Sequence, residues 1–335
     1  MSNNPVCVSI DIGYGNVKFC EMRDGQLRSD HFPSLSKIKT HRSDKGAADL
    51  SLRDLVDVPV GNSTFVVGRD IRLTLSQRAD HGSHLQDDYI GTQHHMALFK
   101  GALNYLDRGK IDLLVTGLPV NFLGNKEKMK NILIGEHRLQ SKTITVKDVW
   151  ILPQPVGGYV DFYINSPDRA QVGKGYSLII DVGFYTLDWI VVSGMQMLDE
   201  RSGSAPVGMS HILEKLAELI SSDLNQDFRN MNMIEEGIKN DYKMRIMGKS
   251  YDFSHLTSQI NDNLVRDASS IKKSVGTLND IDRVIIVGGG ANCYLPAIKK
   301  ILKHPNITVS QNSLYSNVVG FLLAGQNRLE QSKKS

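Results

Sequence analysis

This sequence predicts an α/β fold of two domains built as copies of one unit, and three observations carry the prediction. Its 335 residues exceed one ordinary domain and suit two. A β-branched run that ends in Asp-x-Gly and turns into an alternating strand occurs twice, as DIGYGNVKF from Asp11 and as DVGFYTLDW from Asp181. A self-similarity of that length marks a duplicated domain. Helical and strand periodicities alternate elsewhere, which is the pattern of parallel crossovers.

In chain order, residues 6–10 form a buried strand that stops at Asp11-Ile12-Gly13-Tyr14-Gly15-Asn16, and residues 17–22 return before Asp24-Gly25. Residues 30–95 are weakly patterned and read as an inserted small subdomain. Their histidines His81, His84, His94 and His95 have no Cys or carboxylate at ligand spacing, so they read as a polar surface loop, not a zinc site. Apolar residues at helical intervals from Met96 to Leu106 precede a buried strand over 111–118, which implies a parallel crossover. Residues 143–146 and 149–152 are two more strands, the second ending at Pro153-Gln154-Pro155 before a helix.

The stretch NSPDRAQVGKGY over 165–176 concentrates turn formers and sets the boundary, giving domains 1–165 and 166–335. The second strand–turn–strand follows. A helix with Met209, Ile212, Leu213, Leu216, Leu219 and Ile220 on one face then opens a second inserted subdomain, about 210–275, whose part from 225 reads as polar and helical. A buried strand over 283–287 runs into Gly288-Gly289-Gly290-Ala291 and a helix. A strand at 307–309 and a last helix from about Ser316 complete the second domain.

Composition narrows the class. With 41% apolar and 22% charged residues, the chain can bury most of the surface it exposes unfolded. No apolar run reaches the roughly 18 residues of a membrane span, and MSNNPVCVSI shows no charged region leading into an apolar one. A cytoplasmic protein with no membrane partner is expected. Cys7, Cys20 and Cys293 form no CxxC pair and read as small core residues in a reducing compartment. Thirty-nine basic against 36 acidic residues leave +3 without a block of like charge, so strong nucleic-acid binding by the fold itself is not implied.

The paired turns carry chemistry. Each sets a carboxylate at the exit of a buried strand, beside backbone amides that glycine leaves accessible; amides bind phosphate, and carboxylates hold Mg²⁺ or orient water. Two such turns facing each other across a domain cleft would grip a polyphosphate, with Lys18 as a point positive charge. The strand before Gly288-Gly289-Gly290 would let a purine and ribose lie on bare backbone. No GxxxxGK[ST] is present, which excludes a P-loop, and Cys293 stands where a dinucleotide fingerprint wants Gly or Ala.

The order of these motifs resembles the actin, sugar kinase and DnaK-type chaperone superfamily, and within it the bacterial plasmid-segregating actins of the ParM/StbA group. The resemblance covers residues 5–325 through DIGYGNVKF, ILPQPVGGY, DVGFYTLDW, VIIVGGGA and SNVVGFLLAG. It implies two ribonuclease-H-like (actin-like) domains around a nucleotide cleft, holding ATP (or GTP) and Mg²⁺.

Carried over by motif, Asp11 would stand near Mg²⁺ and Lys18 would contact phosphate, with Gly13, Tyr14, Gly15 and Asn16 presenting backbone amides. Gln154 would position the attacking water, and Asp181 would orient that water and the metal's hydration shell. Gly183 and Thr186 would line the second phosphate loop. Gly208 would approach the ribose, and Gly288, Gly289 and Gly290 would accept the adenosine. The bulky pair Phe184-Tyr185 departs from the small residues of many relatives and reads as packing aromatics that stiffen the hairpin.

The implied activity is ATP hydrolysis coupled to polymerisation, in filaments of this chain that segregate plasmid DNA through a centromere-binding adaptor protein. A chaperone would need a substrate-binding domain for which 335 residues leave no room, and no sugar-directed catalytic aspartate is identifiable. The alternative is an assembly scaffold of the pilus or cell-division actin type with little turnover. The tail QNRLEQSKKS, with Leu329 as its one large apolar residue, offers no amphipathic anchor for it.

Overall fold

The structure, a computed structural model, describes residues 5–39, 53–75 and 89–334. Two compact units divide the chain, one of Met1–Ala170 with Asn312–Ser335 and one of Gln171–Gln311.

In the first unit, β1 (Cys7–Ile12), β2 (Asn16–Arg23) and β3 (Gln26–Pro33) form an antiparallel meander. Strands β4 (Lys37–Ile38), β5 (Val56–Val60) and β6 (Ser63–Val67) make a small sheet of their own before α1 (Gln93–Leu106). Next come β7 (Lys110–Ile111), β8 (Leu113–Leu118), α2 (Lys126–Leu133), β9 (Gly135–Arg138), β10 (Thr143–Val146), β11 (Val149–Pro153) and α3 (Gln154–Asn165), and the short α4 (Arg169–Val172) holds the boundary at Ala170. The main sheet has the order β11-β8-β1-β2-β3, with β8 parallel to both β1 and β11.

The second unit repeats that plan. Strands β12 (Tyr176–Val182), β13 (Leu187–Ser193) and β14 (Gln196–Ala205) form its meander, followed by α5 (Met209–Leu224) and α6 (Met231–Lys239). Then come β15 (Lys243–Ile246), β16 (Lys249–Asp252), α7 (Thr257–Val275), β17 (Arg283–Val287), α8 (Ala291–Leu302) and β18 (Ile307–Val309). Its sheet order, β14-β13-β12-β17-β18, matches the first unit strand for strand, with β17 parallel to β12 and β18. The duplication extends to register: Asp11 pairs with Lys18 across β1 and β2, and Asp181 pairs with Asp188 across β12 and β13.

The last helix, α9 (Ser316–Ser332), corrects the expected division, because it belongs to the first unit and not the second. Alternation along β1 explains why. Val8 and Ile10 point to the core beneath α1, while Cys7, one position out of phase, joins the cluster formed with Val318, Phe321 and Leu322 of α9. Without α9 the Cys7 end of that face would lie bare. Ser9 Oγ donates to the Val318 carbonyl at 2.6 Å, and Gly157 on α3 meets Gly320 on α9 so closely that a Cβ on either would strike the other helix's backbone.

Two further expectations are revised. Residues 243–252 form a hairpin, not helix: Met247 and Gly248 at its turn both have positive φ, the conformation of a two-residue hairpin loop, which leaves helical geometry. The inserted segments pack onto the domains that carry them: Val58 and Phe65, from the sheet β4-β6-β5, share the core of β1 and α1, and α5, α6 and α7 share that of β12 and β17. His94 and His95 open α1 and turn inward, His94 edge-on to Phe65 and His95 2% exposed; His81 and His84 lie outside the described residues.

The cysteines are free thiols, Cys7 and Cys20 in strands and Cys293 on α8, and burial pushes the first two up to about 12 and the third to about 11. Among the described residues no helix is long and apolar enough to cross a membrane.

Candidate functional site

The first unit gathers its predicted residues at the end of β1. Asp11 shares a face with Cys7 and Ser9 by the period of two, so its side chain enters the layer between the sheet and α3. It is 0% exposed. Lys18 Nζ donates to Asp11 Oδ2 at 3.0 Å, and Gln154 Nε2 donates to Asp11 Oδ1 at 2.8 Å. Both carboxylate oxygens are thus engaged, one by a cation and one by a neutral amide.

Local sequence places Gln154. Pro153 ends β11, and Pro155 sits in the first turn of α3, where its missing N–H costs nothing and its φ suits a helix. The side chain fits because the facing residue on β8 is Gly117, where a Cβ would press on Gln154 Cγ and on the ring of Phe321.

The first loop, Gly13 to Asn16, closes with Gly13 N donating to Asn16 O at 3.2 Å. Ser34, at the end of β3, clasps it from outside: its N–H donates to the Gly15 carbonyl at 3.0 Å and its Oγ to the Gly13 carbonyl. The loop's carbonyls are drawn towards Ser34. Lys18 Nζ lies 3.7 Å from where a Cβ on Gly13 would stand, so a positive charge sits directly beside the loop. Tyr14 faces Tyr89 with ring centroids 6.4 Å apart.

In the second unit Asp181 is 5% and Thr186 8% exposed. The second loop closes as the first does, with Gly183 N donating to Thr186 O at 2.9 Å. Its carbonyls also brace the fold, since Gly183 O accepts from Met209 N at 3.2 Å and Phe184 O from Ser210 N at 2.8 Å. Helix α5 has no side-chain cap at Gly208, so the loop supplies acceptors for the unpaired N–H groups of its first turn. Phe184 packs against the core of this unit, as a stiffening aromatic would, and Tyr185 is half-buried.

The three glycines after β17 divide their roles. Gly288 has φ +90°, and a Cβ there would strike Asp181 Oδ1 and the Val182 carbonyl. A Cβ on Gly290 would meet Met209 and Val182. These two glycines make room for the protein's own second loop; Gly289 is the exposed one.

Sequence reasoning missed Ser34 and Gly117, and also the pair behind Gly208. There the buried Tyr294 hydroxyl donates to Asp267 Oδ2 at 3.1 Å and lies 3.3 Å from the Gly208 carbonyl. Burial, followed by the Asp267 charge, raises the Tyr294 phenol, so it stays a donor. No sequence signal separates these residues from ordinary core or loop positions. Among the described residues no cluster of three or more His, Cys, Asp or Glu could hold a metal by side chains alone.

Comparison with known proteins agrees with this plan. The family model described as Actin like proteins N terminal domain matches residues 9–157, and that described as Archaeal actin homologue MreB-like, C-terminal, matches residues 179–300. No curated protein matches the sequence. Among solved structures, apo ParM of psk41 is 21% identical with a TM-score of 0.68, covering 98% of this chain and 100% of its own. The 15-stranded ParM filament from Clostridium botulinum is 21% identical with a TM-score of 0.72, covering 97% of this chain and 99% of its own. The archaeal actin homologue Ta0583 in complex with ADP is 17% identical with a TM-score of 0.74, covering 96% of this chain and 99% of its own.

Proposed function

Because this chain belongs to the actin-like proteins, we propose that it is an ATPase whose filaments assemble with nucleotide bound and come apart after hydrolysis, and that these filaments segregate plasmid DNA through an adaptor protein. The observation that carries the reading is the closed set Lys18–Asp11–Gln154. An isolated hairpin turn has no need of a buried carboxylate held by a lysine and by a glutamine from the far end of the domain. Solved filaments and an ADP complex of similar fold support assembly and nucleotide binding.

The residues fit a nucleotide with Mg²⁺. Lys18 and the first loop would take phosphate oxygens, the second loop with Gly183 and Thr186 would do the same, and exposed Gly289 with Gly208 would serve the nucleoside. Mg²⁺ would supply neutralisation of phosphate charge. Asp11, with both oxygens already partnered, and Asp181 would hold the ion through its water and not by direct ligation.

Gln154 would orient, not deprotonate. Its Nε2 is committed to Asp11, so Oε1 would be the acceptor for one proton of the attacking water. The neutral amide contributes by position, and Lys18 by charge, as suits phosphoryl transfer.

The test is sedimentation and light scattering of the purified protein. Mg-ATP or Mg-GTP should give pelletable polymer, and conversion to the diphosphate should dissolve it. Scattering that stays flat with either triphosphate and with non-hydrolysable analogues would refute the reading. With a net charge of +3, the protein should not shift bare plasmid DNA unless the adaptor is present.

A further inference from the structure

A pocket of about 40 Å³ opens within the first unit, directly behind Gln154, and the roles above leave it unused. Tyr14, Tyr89, His95, Pro119, Phe122 and Gln154 are among its walls. Two of these wall residues carry a buried polar atom without any hydrogen-bond partner, the Tyr89 hydroxyl and His95 Nδ1. The two rings meet edge to face with centroids 5.3 Å apart, so the residues that carry these groups are neighbours in the pocket wall.

Buried polar groups in folded proteins are almost always satisfied, and an orphaned pair beside a cavity calls for a partner that fills it. Its chemistry can be read from the walls. Among the described residues no lysine or arginine lines the pocket, and burial keeps His95 a neutral imidazole, so an anion such as released phosphate finds no counter-charge among them. The partner is neutral, small, and able both to donate and to accept. At roughly 10–15 Å³ of such space per water molecule, the volume suits about three waters.

We propose that this pocket is a water-binding site in which ordered water bridges His95 Nδ1, the Tyr89 hydroxyl and the Gln154 carboxamide. His95 and Tyr89 are then positioning residues for the hydrolytic water, acting through Gln154. The second statement rests on the ATPase reading; the first stands without it.

The experiment has two arms on the full chain. High-resolution crystal structures should show ordered water within hydrogen-bond reach of both groups in the wild type. That water should be lost in the double variant Tyr89→Phe, His95→Phe and regained with His95→Gln. Tyr89→Phe alone, which deletes one hydroxyl, serves if the double variant does not fold. In single-turnover phosphate release, the double variant should slow about tenfold while nucleotide affinity stays within about twofold, and His95→Gln should recover the rate.

A dry wild-type pocket, or water unmoved in the double variant, overturns the water site. Water lost with release unchanged overturns the positioning role. A wild type that turns over no nucleotide refutes the ATPase reading and the positioning role with it, while the density still decides whether the pocket binds water.

Discussion

Gln154 at the first turn of α3 and Asp11 at the end of β1, 143 residues apart, are joined by a 2.8 Å hydrogen bond from Nε2 to Oδ1. Lys18 holds the other oxygen of the same carboxylate at 3.0 Å. The first half of the candidate site is therefore one connected unit, and changes to any member should be felt by the others.

Gln154→Ala removes the water-orienting group and the partner of Asp11 Oδ1 together. Phosphate release should slow about 10²-fold, with nucleotide affinity changed only a few-fold. Stability should fall by about 1–3 kcal/mol, because Asp11 is left with an unpaired oxygen in a buried place. Rapid-mix phosphate release and urea unfolding measure the two effects separately, and release within a few-fold of wild type would remove Gln154 from the mechanism.

Lys18→Met keeps most of the side chain's packing and deletes its charge. The ion pair is well buried, its side chains 12% and 1% exposed, so removing one partner strands the other. We expect a loss of about 3 kcal/mol in the nucleotide-free protein, together with weaker nucleotide binding. An unchanged unfolding midpoint would mean that water replaces the ammonium at little cost.

Gly288→Ala and Gly289→Ala should part sharply. At Gly288 a Cβ faces Asp181 and the Val182 carbonyl in a backbone with φ +90°, so the alanine should cost at least about 2 kcal/mol and disturb the second loop. At exposed Gly289 the alanine should stay within about 0.5 kcal/mol of wild type, and its effect should appear in nucleoside affinity. Thermal unfolding and nucleotide titration of the pair distinguish the two roles.

Stability should fall in mild acid through His95. Burial holds its imidazole at about 4 against an ordinary 6.5. Below 6.5 the unfolded chain takes up a proton that the folded protein refuses, so the contribution is complete above that pH and lost as pH falls towards 4. At most about 3 kcal/mol is at stake. His137, also lowered chiefly by burial, adds in the same direction. Urea unfolding across this window should show a shallower pH slope for His95→Phe than for wild type; equal slopes would place the titration elsewhere.

What could be read before folding was local. The two hairpins announce themselves because β-branched runs, Asp-x-Gly turns and a returning alternation all lie within fifteen or so residues, and the helical face from Met209 to Ile220 repeats at short range. The hairpin over 243–252 escaped because its turn is Met-Gly rather than a familiar hairpin pair, and its strands are polar on a partly exposed ribbon. His94 and His95 looked like surface residues because nothing in a run of histidines says which of them a helix will turn inward.

The sequence by itself determined that the chain is a duplicated α/β unit, and the resemblance of its motifs singled out Asp11, Lys18, Gln154 and Asp181 as candidates for its chemistry. Tertiary structure alone decided which helix completes which unit, and how the site is held. Helix α9 returns to the first unit because the Cys7–Ser9–Asp11 face of β1 needs covering and because Gly157 and Gly320 let two backbones touch. Ser34 clasps the first loop, the second loop caps α5, and Gly288 yields its space to Asp181. These are contacts between residues far apart in the chain, and their energies exist only once packing has brought the partners together.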